Sequence, residues 1–595
     1  MVDNYRTLHD DFRWHVPRDL NIAVDCCLKW AQLPSHDKKV ALAWQPVDQA
    51  MQQITFSQLG QLVCQLANGM QRLGVIPGDR VLVLLGRPIE ALAVIMACWA
   101  TGAVAVPLSP NEESDALIPK LKQARGRLIF IDDVTEEAAL AAVARCPRIQ
   151  QIVGLDIYSG SVMSWRGLIA RQPTSFEPVQ SLPSNPALLI WPEQSDPNFT
   201  AGTALMLAQQ ALIGNLPGFV MTTNWFPDHA SGLMTTLLPW DEPGLLAAIL
   251  PTLYFGFGVT IDQRDVFAVT PNISHVITTP TRWCQWLQSQ LAQQAPAQPL
   301  RALTLLGHCL SPYWRDVSEK QVATHPNLAM YVAGCGLALG QNQARWPAPH
   351  HPNLLRAVPG FEVGIAQSTA AESTATEPTT AEPNTAEPNT ATLNDHTPPL
   401  GTGSLTISRF DAHDHPNPAQ YVQIWPFKES LDGSGLTEPP LRFETHWPAR
   451  AHDTISFELL DEPNNPPLTV GPNGLNAASL EQALLTLPCV AGALVIASPQ
   501  KKAVPTAGLW LLVQLHEEHQ PVSAITRRTL EEQLPALILE ACGYETPTDD
   551  GVPALRVGLV TAIERNPLDQ PRRSVWTKRA KFVDIDFLPP SRPKS

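Results

Sequence analysis

Hydrophobic residues recur at helical and strand spacing through residues 55–130. The stretch FSQLGQLVCQLANGMQRLGV, Phe56 to Val75, carries apolar residues three and four positions apart and predicts a helix. The turn IPGDR and the apolar run VLVLL predict a buried strand next, and a helix and a strand then follow again. The same alternation returns between Ile273 and Leu339. Alternation of this kind is typical of βαβ units, so it predicts an α/β fold with layered, mainly parallel sheets.

Two uncharged apolar stretches approach the length of a membrane span. They are ALAVIMACWATGAVAVPL from Ala91 and GLLAAILPTLYFGFGVTI from Gly244. A Thr-Gly pair interrupts the first, and Pro251 with two later glycines interrupts the second. Each is therefore expected to be a buried helix that turns into a strand rather than a membrane span.

A change in composition divides the chain. Residues 367–399 are rich in Thr, Ala, Glu and Pro and almost lack large apolar side chains, which predicts a disordered insertion. Beyond residue 460 a smaller unit alternates helices, such as SLEQALLTL, with strands, such as GLWLLVQL. We expect an N-terminal domain over residues 1–460 and a small α+β, lid-like C-terminal domain over residues 461–595.

Composition and charge narrow the class of protein. The 595 residues carry a net charge of -15, and only 16% of them are charged. The negative charge disfavours nucleic acid or an anionic membrane as a partner. The ten cysteines form no C-x-x-C pair, and the first twenty residues lack the apolar run of a signal peptide. These features predict a cytoplasmic protein with reduced, buried cysteines.

The stretch ALLIWPEQSDPNFTAG, Ala187 to Gly202, begins as a buried strand and continues as a polar loop. A loop that cradles phosphate needs glycines, so that N–H groups can turn toward the anion, and usually a lysine. This loop has no glycine before Gly202, and no lysine occurs between Lys122 and Lys320. The stretch is either an ordinary loop or a nucleotide site that has lost its chemistry.

A resemblance to a known protein family favours the second of these two interpretations. The run from Thr55 to Pro110, with GVIPGDRV and GAVAVPL, resembles the N-terminal region of AMP-dependent acyl-CoA synthetases, the adenylate-forming family. RALTLLGHCLSP and RAVPGFEVGI are also similar to the family, as is SLEQALLTLPCVAGALV in the tail. The resemblance implies an N-terminal domain with nucleotide and acyl pockets. It also implies a C-terminal domain that rotates between two half-reactions.

The resemblance places the family's phosphate loop, T-S-G-T-T-G-x-P-K-G, on PEQSDPNFTAG. Prolines remove N–H donors and carboxylates repel a triphosphate, so the loop is expected to have lost its function. The threonine and glutamate of Y-G-x-T-E fall on Gly334 and Cys335, the ribose aspartate falls near Trp447, and the catalytic lysine falls near Gln570, with Arg572, Lys578 and Lys581 as alternatives. The expected remnant of the nucleotide site comprises Glu193, Ser195, Asp196, Thr200, Gly307, Tyr331 and Trp447.

The family's acyl pocket lies beneath the phosphate loop, beside the segment equivalent to LPWDEPGLLAAIL. The resemblance therefore implies an acyl pocket walled by Trp240 and Tyr331. An apolar cavity can be retained in a protein whose nucleotide site has lost its function, because packing and polar chemistry depend on different residues.

The sequence thus favours an acyl-CoA synthetase-like pseudoenzyme that binds an acyl ligand or a protein partner, such as an active synthetase or a carrier protein. No intact catalytic residue, no metal site and no cofactor are expected. The alternative is an active, divergent ligase that uses ATP, Mg and CoA to form acyl-AMP and then acyl-CoA. HEEH, Asp411 to Pro416 and GCGLALG are weak candidates for a metal or dinucleotide site.

Overall fold

The structure is a computed structural model that describes most of the chain. The described residues are 4–47, 49–158, 160–191, 204–226, 233–264, 273–307, 309–348, 351–366, 402–408, 423–425, 442–452, 456–459, 469–470, 475–497, 509–520, 522–541, 555–565, 573–580, 583 and 585–588. The predicted disordered insertion, residues 367–399, and the Asp411 to Pro416 segment lie outside these ranges.

The described residues form strands and helices throughout both predicted domains. The strands are β1 Val40–Gln45, β2 Gln52–Thr55, β3 Arg80–Leu84, β4 Val104–Pro107, β5 Leu128–Asp132, β6 Gln151–Leu155, β7 Met163–Ser164, β8 Pro186–Ile190, β9 Ala204–Ala208, β10 Leu233–Thr236, β11 Val259–Asp262, β12 Ile273–Thr278, β13 Ala302–Leu306, β14 Pro326–Val332, β15 Gly336–Gly340, β16 Leu355–Ala357, β17 Val363–Ala366, β18 Thr402–Ser408, β19 Gln423–Trp425, β20 Arg442–Ala451, β21 Ser456–Leu459, β22 Thr469–Val470, β23 Leu475–Asn476, β24 Val490–Ala497, β25 Leu509–Leu515, β26 Leu555–Val560 and β27 Asp586–Phe587. The helices are α1 Tyr5–Asp10, α2 Lys29–Ala31, α3 Phe56–Arg72, α4 Pro88–Thr101, α5 Ser114–Ala124, α6 Glu136–Val143, α7 Trp165–Ile169, α8 Ala211–Thr222, α9 Glu242–Gly244, α10 Leu250–Tyr254, α11 Pro280–Ala292, α12 Pro312–Val322, α13 Ala477–Leu484, α14 Ala524–Ala541 and α15 Arg573–Arg579, with π-helical turns at Val24–Leu28 and Leu245–Ile249 and 3₁₀ turns at Pro34–His36 and Glu517–His519.

The smaller sheet of the N-terminal domain has eight strands in the order β19-β9-β8-β4-β3-β5-β6-β7. Strands β3 to β8 pair in parallel, while β9 and β19 add an antiparallel edge. Helix α3 begins with a capping box, in which the Thr55 hydroxyl and the Gln58 side chain each accept a backbone N–H of the other residue. The predicted βαβ units are confirmed.

Helix α4 explains the first uncharged apolar stretch. Every residue of α4 except Glu90 is buried, and Gly102 ends the helix with a φ of 75°. The helix packs on β3 and β4 of the smaller sheet and on β1 of the larger sheet. Its apolar circumference therefore reflects burial between two sheets. Among the residues that the structure describes, no helix is long and apolar enough to cross a membrane.

The larger sheet has thirteen strands in the order β17-β18-β20-β21-β16-β15-β14-β13-β12-β10-β11-β1-β2. Its centre, from β14 through β13, β12, β10 and β11 to β1, is parallel. The flanking strands are antiparallel. The parallel centre matters for function, because it brings the carboxyl ends of several strands to one edge.

The C-terminal unit contains a four-stranded sheet in the order β24-β25-β26-β27. Helices α13 and α15 pack on β24, and α13 also packs on α14. One face of this sheet has a small core of its own around Trp510 and Trp576. The other face shares the main apolar core of the chain. The predicted fold class, a large α/β unit followed by a small α+β unit, is confirmed.

The described cysteines are all free, and all are buried except the partly exposed Cys489. Cys542 lies outside the described residues. Burial raises the pKa of several of these thiols, including those of Cys27 and Cys98. Neutral, buried thiols behave as small apolar side chains, which agrees with the expectation of reduced core residues.

We predict that Gly218→Ala destabilises the chain. A Cβ at Gly218 in α8 would lie 2.5 Å from Leu337 Cβ and 2.8 Å from the Leu337 carbonyl oxygen in β15. Overpacking of this kind costs about 1–3 kcal/mol, which outweighs the better helix propensity of alanine. Urea unfolding should show the loss.

Gly167→Ala in α7 is the matched control, since its nearest neighbour would be Ser164 Cβ at 3.8 Å. This exposed helical site should gain stability, by up to about 1 kcal/mol. Equal stability of the two variants would contradict the packing of α8 on β15.

Candidate functional site

The candidate site lies where the parallel strands of the larger sheet end. Trp240 and Asp241 follow β10, Thr278 ends β12, and Gly307 follows β13. The β14–β15 turn completes this edge. Ligands of open α/β sheets bind in the crevice outside the carboxyl ends of the strands. The topology therefore brings segments that are far apart in sequence to one edge.

Trp240 and Asp241 place two orphan polar atoms at this edge. Trp240 is 2% exposed, and its Nε1–H has no hydrogen-bond partner within the described part of the chain. Part of Asp241 reaches solvent, but its Oδ1 is buried and also lacks a partner there. One atom is a donor and the other is a carboxyl oxygen. A ligand group that both donates and accepts a hydrogen bond would satisfy both.

Charged residues from α5 and its preceding turn surround Asp241. The pKa of Asp241 is raised to about 6, mainly by burial and in part by the charge of Glu112, while Lys120 lowers it. Lys120 Nζ forms an ion pair with Glu112 Oε1 at 2.5 Å, while Glu112 Oε2 is a buried orphan. This group of two carboxyls and one ammonium therefore keeps a proton on Asp241 at a higher pH than an exposed aspartate would, up to about pH 6.

Trp191 links this charged group to the predicted phosphate loop. It is the last described residue before that loop, and its Nε1 donates to Gln123 Oε1 in α5. Lys120 Nζ lies 5.7 Å from the centroid of the Trp191 ring. A lysine from α5 therefore lies beside the start of a loop whose own sequence contains none.

The β14–β15 hairpin contains three of the predicted site residues. Tyr331 is a strand residue of β14 that pairs with Leu337, and it is 5% exposed. Gly334 lies in the turn with a φ of 77°, and Cys335 is fully buried, with its N–H donating to the Val332 carbonyl at 2.9 Å. A buried thiol therefore occupies the position that the resemblance assigns to a magnesium carboxylate. Magnesium prefers hard oxygen ligands, so Cys335 does not suit it.

Gly307 has a packing reason to be glycine. A Cβ there would lie 2.5 Å from Pro280 Cγ at the start of α11. Its N–H donates to the Ala329 carbonyl of β14 at 3.0 Å. The sequence predicts that Gly307 belongs to a nucleotide site. Its packing suggests a simpler role, because a side chain there would clash with the first turn of α11.

The proposed acyl-pocket residues Trp240 and Tyr331 lie on the same edge, but they are not neighbours along the sheet. Strands β12 and β13 separate β10 from β14, which is roughly 14 Å of sheet at the usual strand spacing. The two side chains would therefore flank a ligand from opposite sides. Both belong to the main buried core.

The remaining predicted positions are only partly described. Trp447 lies in β20, whereas Glu193, Ser195, Asp196, Thr200, Gln570, Arg572 and Lys581 lie outside the described residues. Lys578 is exposed on α15. Arg573, which the sequence analysis did not single out, is 3% exposed and pairs with Glu481 at 2.6 Å. Arg573 therefore stabilises its own unit.

Sequence reasoning also missed Asp241, Glu112, Lys120 and Gln123. No local motif marks them, because they meet only after α5 and the segment following β10 pack together. The Trp-Asp pair after an apolar strand was the available signal, since a carboxylate rarely follows a buried run without a partner or a role. Among the described residues, no group of three or more His, Cys, Asp or Glu side chains could hold a metal ion.

A cleft of about 700 Å³ lies elsewhere in the N-terminal domain. Its walls come from residues 19–32, 57–64 and 174–181, and they include no predicted site residue. Its size alone does not make this cleft the candidate site, because the unpaired polar atoms of Trp240 and Asp241 do not line it.

Comparison with known proteins shows what the chain resembles. Residues 30–320, just under half of the chain, match the AMP-binding enzyme family. The curated relatives include acetyl-coenzyme A synthetases, and the structural neighbours include CoA and acid ligases. Together these findings support the AMP-dependent acyl-CoA synthetase family for this chain.

The curated relatives of this chain are distant. Acetyl-coenzyme A synthetase of Thiobacillus denitrificans is 26% identical over 199 residues, which cover 30% of each protein. That of Xanthomonas oryzae pv. oryzae is 32% identical over 128 residues, covering 21% of this chain and 20% of the relative. The first of these matches thus spans less than a third of the curated relative.

Solved structures of the family resemble the chain over almost its whole length. The anthranilate CoA ligase AuaEII in complex with anthranoyl-AMP gives a TM-score of 0.68 at 15% identity, covering 95% of this chain and 98% of that one. ATP-bound MatB from Rhodopseudomonas palustris gives 0.64 at 15% identity, covering 95% and 99%. At these identities the likeness establishes the fold alone.

We predict that Asp241→Asn stabilises the chain at alkaline pH. The pKa of Asp241 is raised from 3.8 to about 6, so the folded chain binds more protons than the unfolded chain between these values. Stability therefore falls as pH rises through this window, by roughly 3 kcal/mol in total. The variant avoids the loss and should exceed the parent by up to this amount at pH 8, but not at pH 4. Urea unfolding at several pH values measures this difference.

Asp262→Asn is the matched control. Asp262 is buried but pairs with Arg264 at 2.7 Å, so its substitution should destabilise the chain at pH 8. Parallel pH profiles of the parent and Asp241→Asn would disprove the raised pKa of Asp241.

Proposed function

We propose that this chain is an acyl-CoA synthetase-like pseudoenzyme that binds an acyl ligand or a protein partner and does not adenylate. The observation that carries the proposal is the β14–β15 turn. There Gly334 and the buried Cys335 stand at the positions to which the resemblance assigns the hydroxyl and the magnesium carboxylate. Neither residue supplies the oxygen ligand that a magnesium nucleotide needs.

The phosphate loop supports the proposal through its sequence. PEQSDPNFTAG contains two prolines, which lack N–H groups, and the two acidic residues Glu193 and Asp196. Fewer donors and added negative charge both disfavour a triphosphate. Lys120 does not replace the missing lysine in full, because it is already paired with Glu112.

The expected ligand is an acyl compound with a polar group. Trp240 and its apolar neighbours Leu237 and Leu238 are buried, which favours a hydrocarbon portion. The orphan atoms Trp240 Nε1 and Asp241 Oδ1 favour a hydroxyl, amide or amine next to it. A protein partner would be an active synthetase or a carrier protein.

Three further expectations belong to the same proposal. The N-terminal domain comprises residues 1–460, and the C-terminal domain comprises residues 461–595. The protein works in the cytoplasm. ATP, Mg and CoA bind only if the alternative of an active, divergent ligase holds.

We predict that ATP with magnesium neither raises the Tm nor supports exchange of labelled pyrophosphate into ATP with any carboxylic acid. A ligand stabilises a protein only in proportion to its occupancy of the folded state. Thermal unfolding with ATP alone tests nucleotide binding without depending on the choice of acid. An acetyl-coenzyme A synthetase assayed in parallel is the positive control.

Exchange above background with any acid would overturn the pseudoenzyme proposal and establish the active alternative. Substitution of Arg572, Lys578 and Lys581 by alanine, one at a time, would then identify the cation that serves the reaction. A Tm shift with ATP in the absence of exchange would separate binding from catalysis and would also contradict the predicted loss of the nucleotide site.

We predict that Trp240→Phe weakens acyl binding while leaving the fold intact. The substitution keeps most of the buried ring but removes the orphan Nε1–H, so stability should change little. Affinity for the best ligand in a calorimetric panel of acyl-CoAs and free acids should fall roughly five- to tenfold, or about 1 kcal/mol.

Trp286→Phe, at a fully buried position in α11, is the matched control and should leave affinity unchanged. A panel that gives no heat with the parent chain would remove the acyl ligand from the proposal and leave the protein partner. Equal loss of affinity in both variants would place the ligand elsewhere.

A further inference from the structure

A buried glutamine of the C-terminal unit contacts the candidate-site edge at several points. Gln482 in α13 is 8% exposed, and its Oε1 accepts the Ser311 N–H at 2.8 Å. Its Nε2 donates to the Cys309 carbonyl oxygen at 3.0 Å and lies 3.5 Å from Cys309 Sγ. Its own backbone carbonyl accepts Trp314 Nε1–H at 2.7 Å. One residue of the small unit thus bonds to Cys309, Ser311 and Trp314, at both ends and in the middle of this segment.

This segment begins two residues after Gly307 and leads into α12. Ser311 is the N-cap of α12, and its hydroxyl accepts the Trp314 N–H. Gln482 therefore meets the first turn of α12 on its outer side, where backbone N–H groups need partners from outside the helix. The contact joins the C-terminal unit to the edge where the strands of the larger sheet end.

Two glutamines of α11 extend the contact. Gln285 Nε2 donates to the Ala491 carbonyl at 2.8 Å, and Gln288 Nε2 donates to the Leu487 carbonyl at 2.6 Å. Beneath these polar contacts the apolar core is continuous, because Trp286 and Trp314 belong to the same buried cluster as Leu480 and Leu484. The interface thus combines an apolar layer with hydrogen bonds to backbone groups.

Such an interface resists opening more than the usual interface between domains of one chain, which is more polar and permits movement. Separation of the units would expose the rings of Trp286 and Trp314 together with the leucines of α13. It would also break the hydrogen bonds between the buried Gln482 amide and its backbone partners. Only water could then satisfy these polar groups.

We propose that Gln482 is a clamp that holds the C-terminal unit against the Cys309–Trp314 segment, so that the two units move as one body in the resting protein. The rotation that family membership implies requires release of this clamp. The inference goes beyond the proposed function and holds whether or not the chain adenylates. It assigns a conformational role to a residue that touches no expected ligand.

Hydrogen exchange measured by mass spectrometry on the full chain tests the clamp. In the parent, the Ser311 amide should be protected to the same degree as the amides of β13. In Gln482→Ala, exchange in the Cys309–Trp314 segment should become roughly tenfold faster. Protection of β24 and β25 should stay unchanged, because the small unit remains folded.

Gln341→Ala is the matched control. Gln341 is equally buried and makes three hydrogen bonds, to Leu328, Pro352 and Leu354, all within the N-terminal domain. This variant should accelerate exchange around those residues and leave the Cys309–Trp314 segment protected. Faster exchange of that segment in both variants would show general destabilisation instead of a clamp.

Trp314→Phe keeps the test decisive if Gln482→Ala does not fold. It removes the hydrogen bond to the Gln482 carbonyl together with part of the buried ring, keeps the Gln482 side chain, and should raise exchange of the same segment by a smaller factor. Rapid exchange of Ser311 in the parent, or unchanged exchange in both interface variants, would overturn the proposal. The pyrophosphate-exchange result bears only on the pseudoenzyme proposal, so the two ideas can fail separately.

Discussion

The burial of α4 between two sheets is the constraint on which the rest of the N-terminal domain depends. The helix contacts β3 and β4 on one side and β1 on the other, so it has almost no polar face. Two hydrogen bonds fix the Trp99 position: its Nε1 donates to the Ala187 carbonyl of β8 at 2.8 Å, and Asn21 donates to its backbone carbonyl. Because Ala187 begins the run toward the predicted phosphate loop, α4 fixes where that loop starts.

Local patterning was sufficient to predict the elements near α4. The spacing of apolar residues in α3, the capping pair Thr55 and Gln58, and the uninterrupted apolar run of α4 all act over a few residues. A sequence displays such interactions directly. The antiparallel flanks of the larger sheet could not be predicted in the same way, because β16 pairs with β21 across about a hundred residues of chain.

The candidate site was predictable only where a motif is contiguous. Tyr331, Gly334 and Cys335 could be located from the order of residues in one hairpin. Asp241 could not be linked to Lys120, because their interaction depends on how α5 packs against the segment after β10. Gln482 poses the same problem on a larger scale, since its partners lie about 170 residues earlier. Long-range polar contacts leave no periodic signal in the sequence.

The continuous apolar core has a consequence for how the chain can be dissected. Leu480 and Leu484 of the small unit belong to the same buried cluster as Trp286 and Trp314 of the large one. A fragment that ended near residue 460 would expose the apolar side of α11 and α12 to water, and the isolated small unit would expose α13. Each fragment would then carry an exposed apolar patch, which promotes aggregation. The two units are therefore separate in topology, but neither is expected to stay soluble when it is expressed alone.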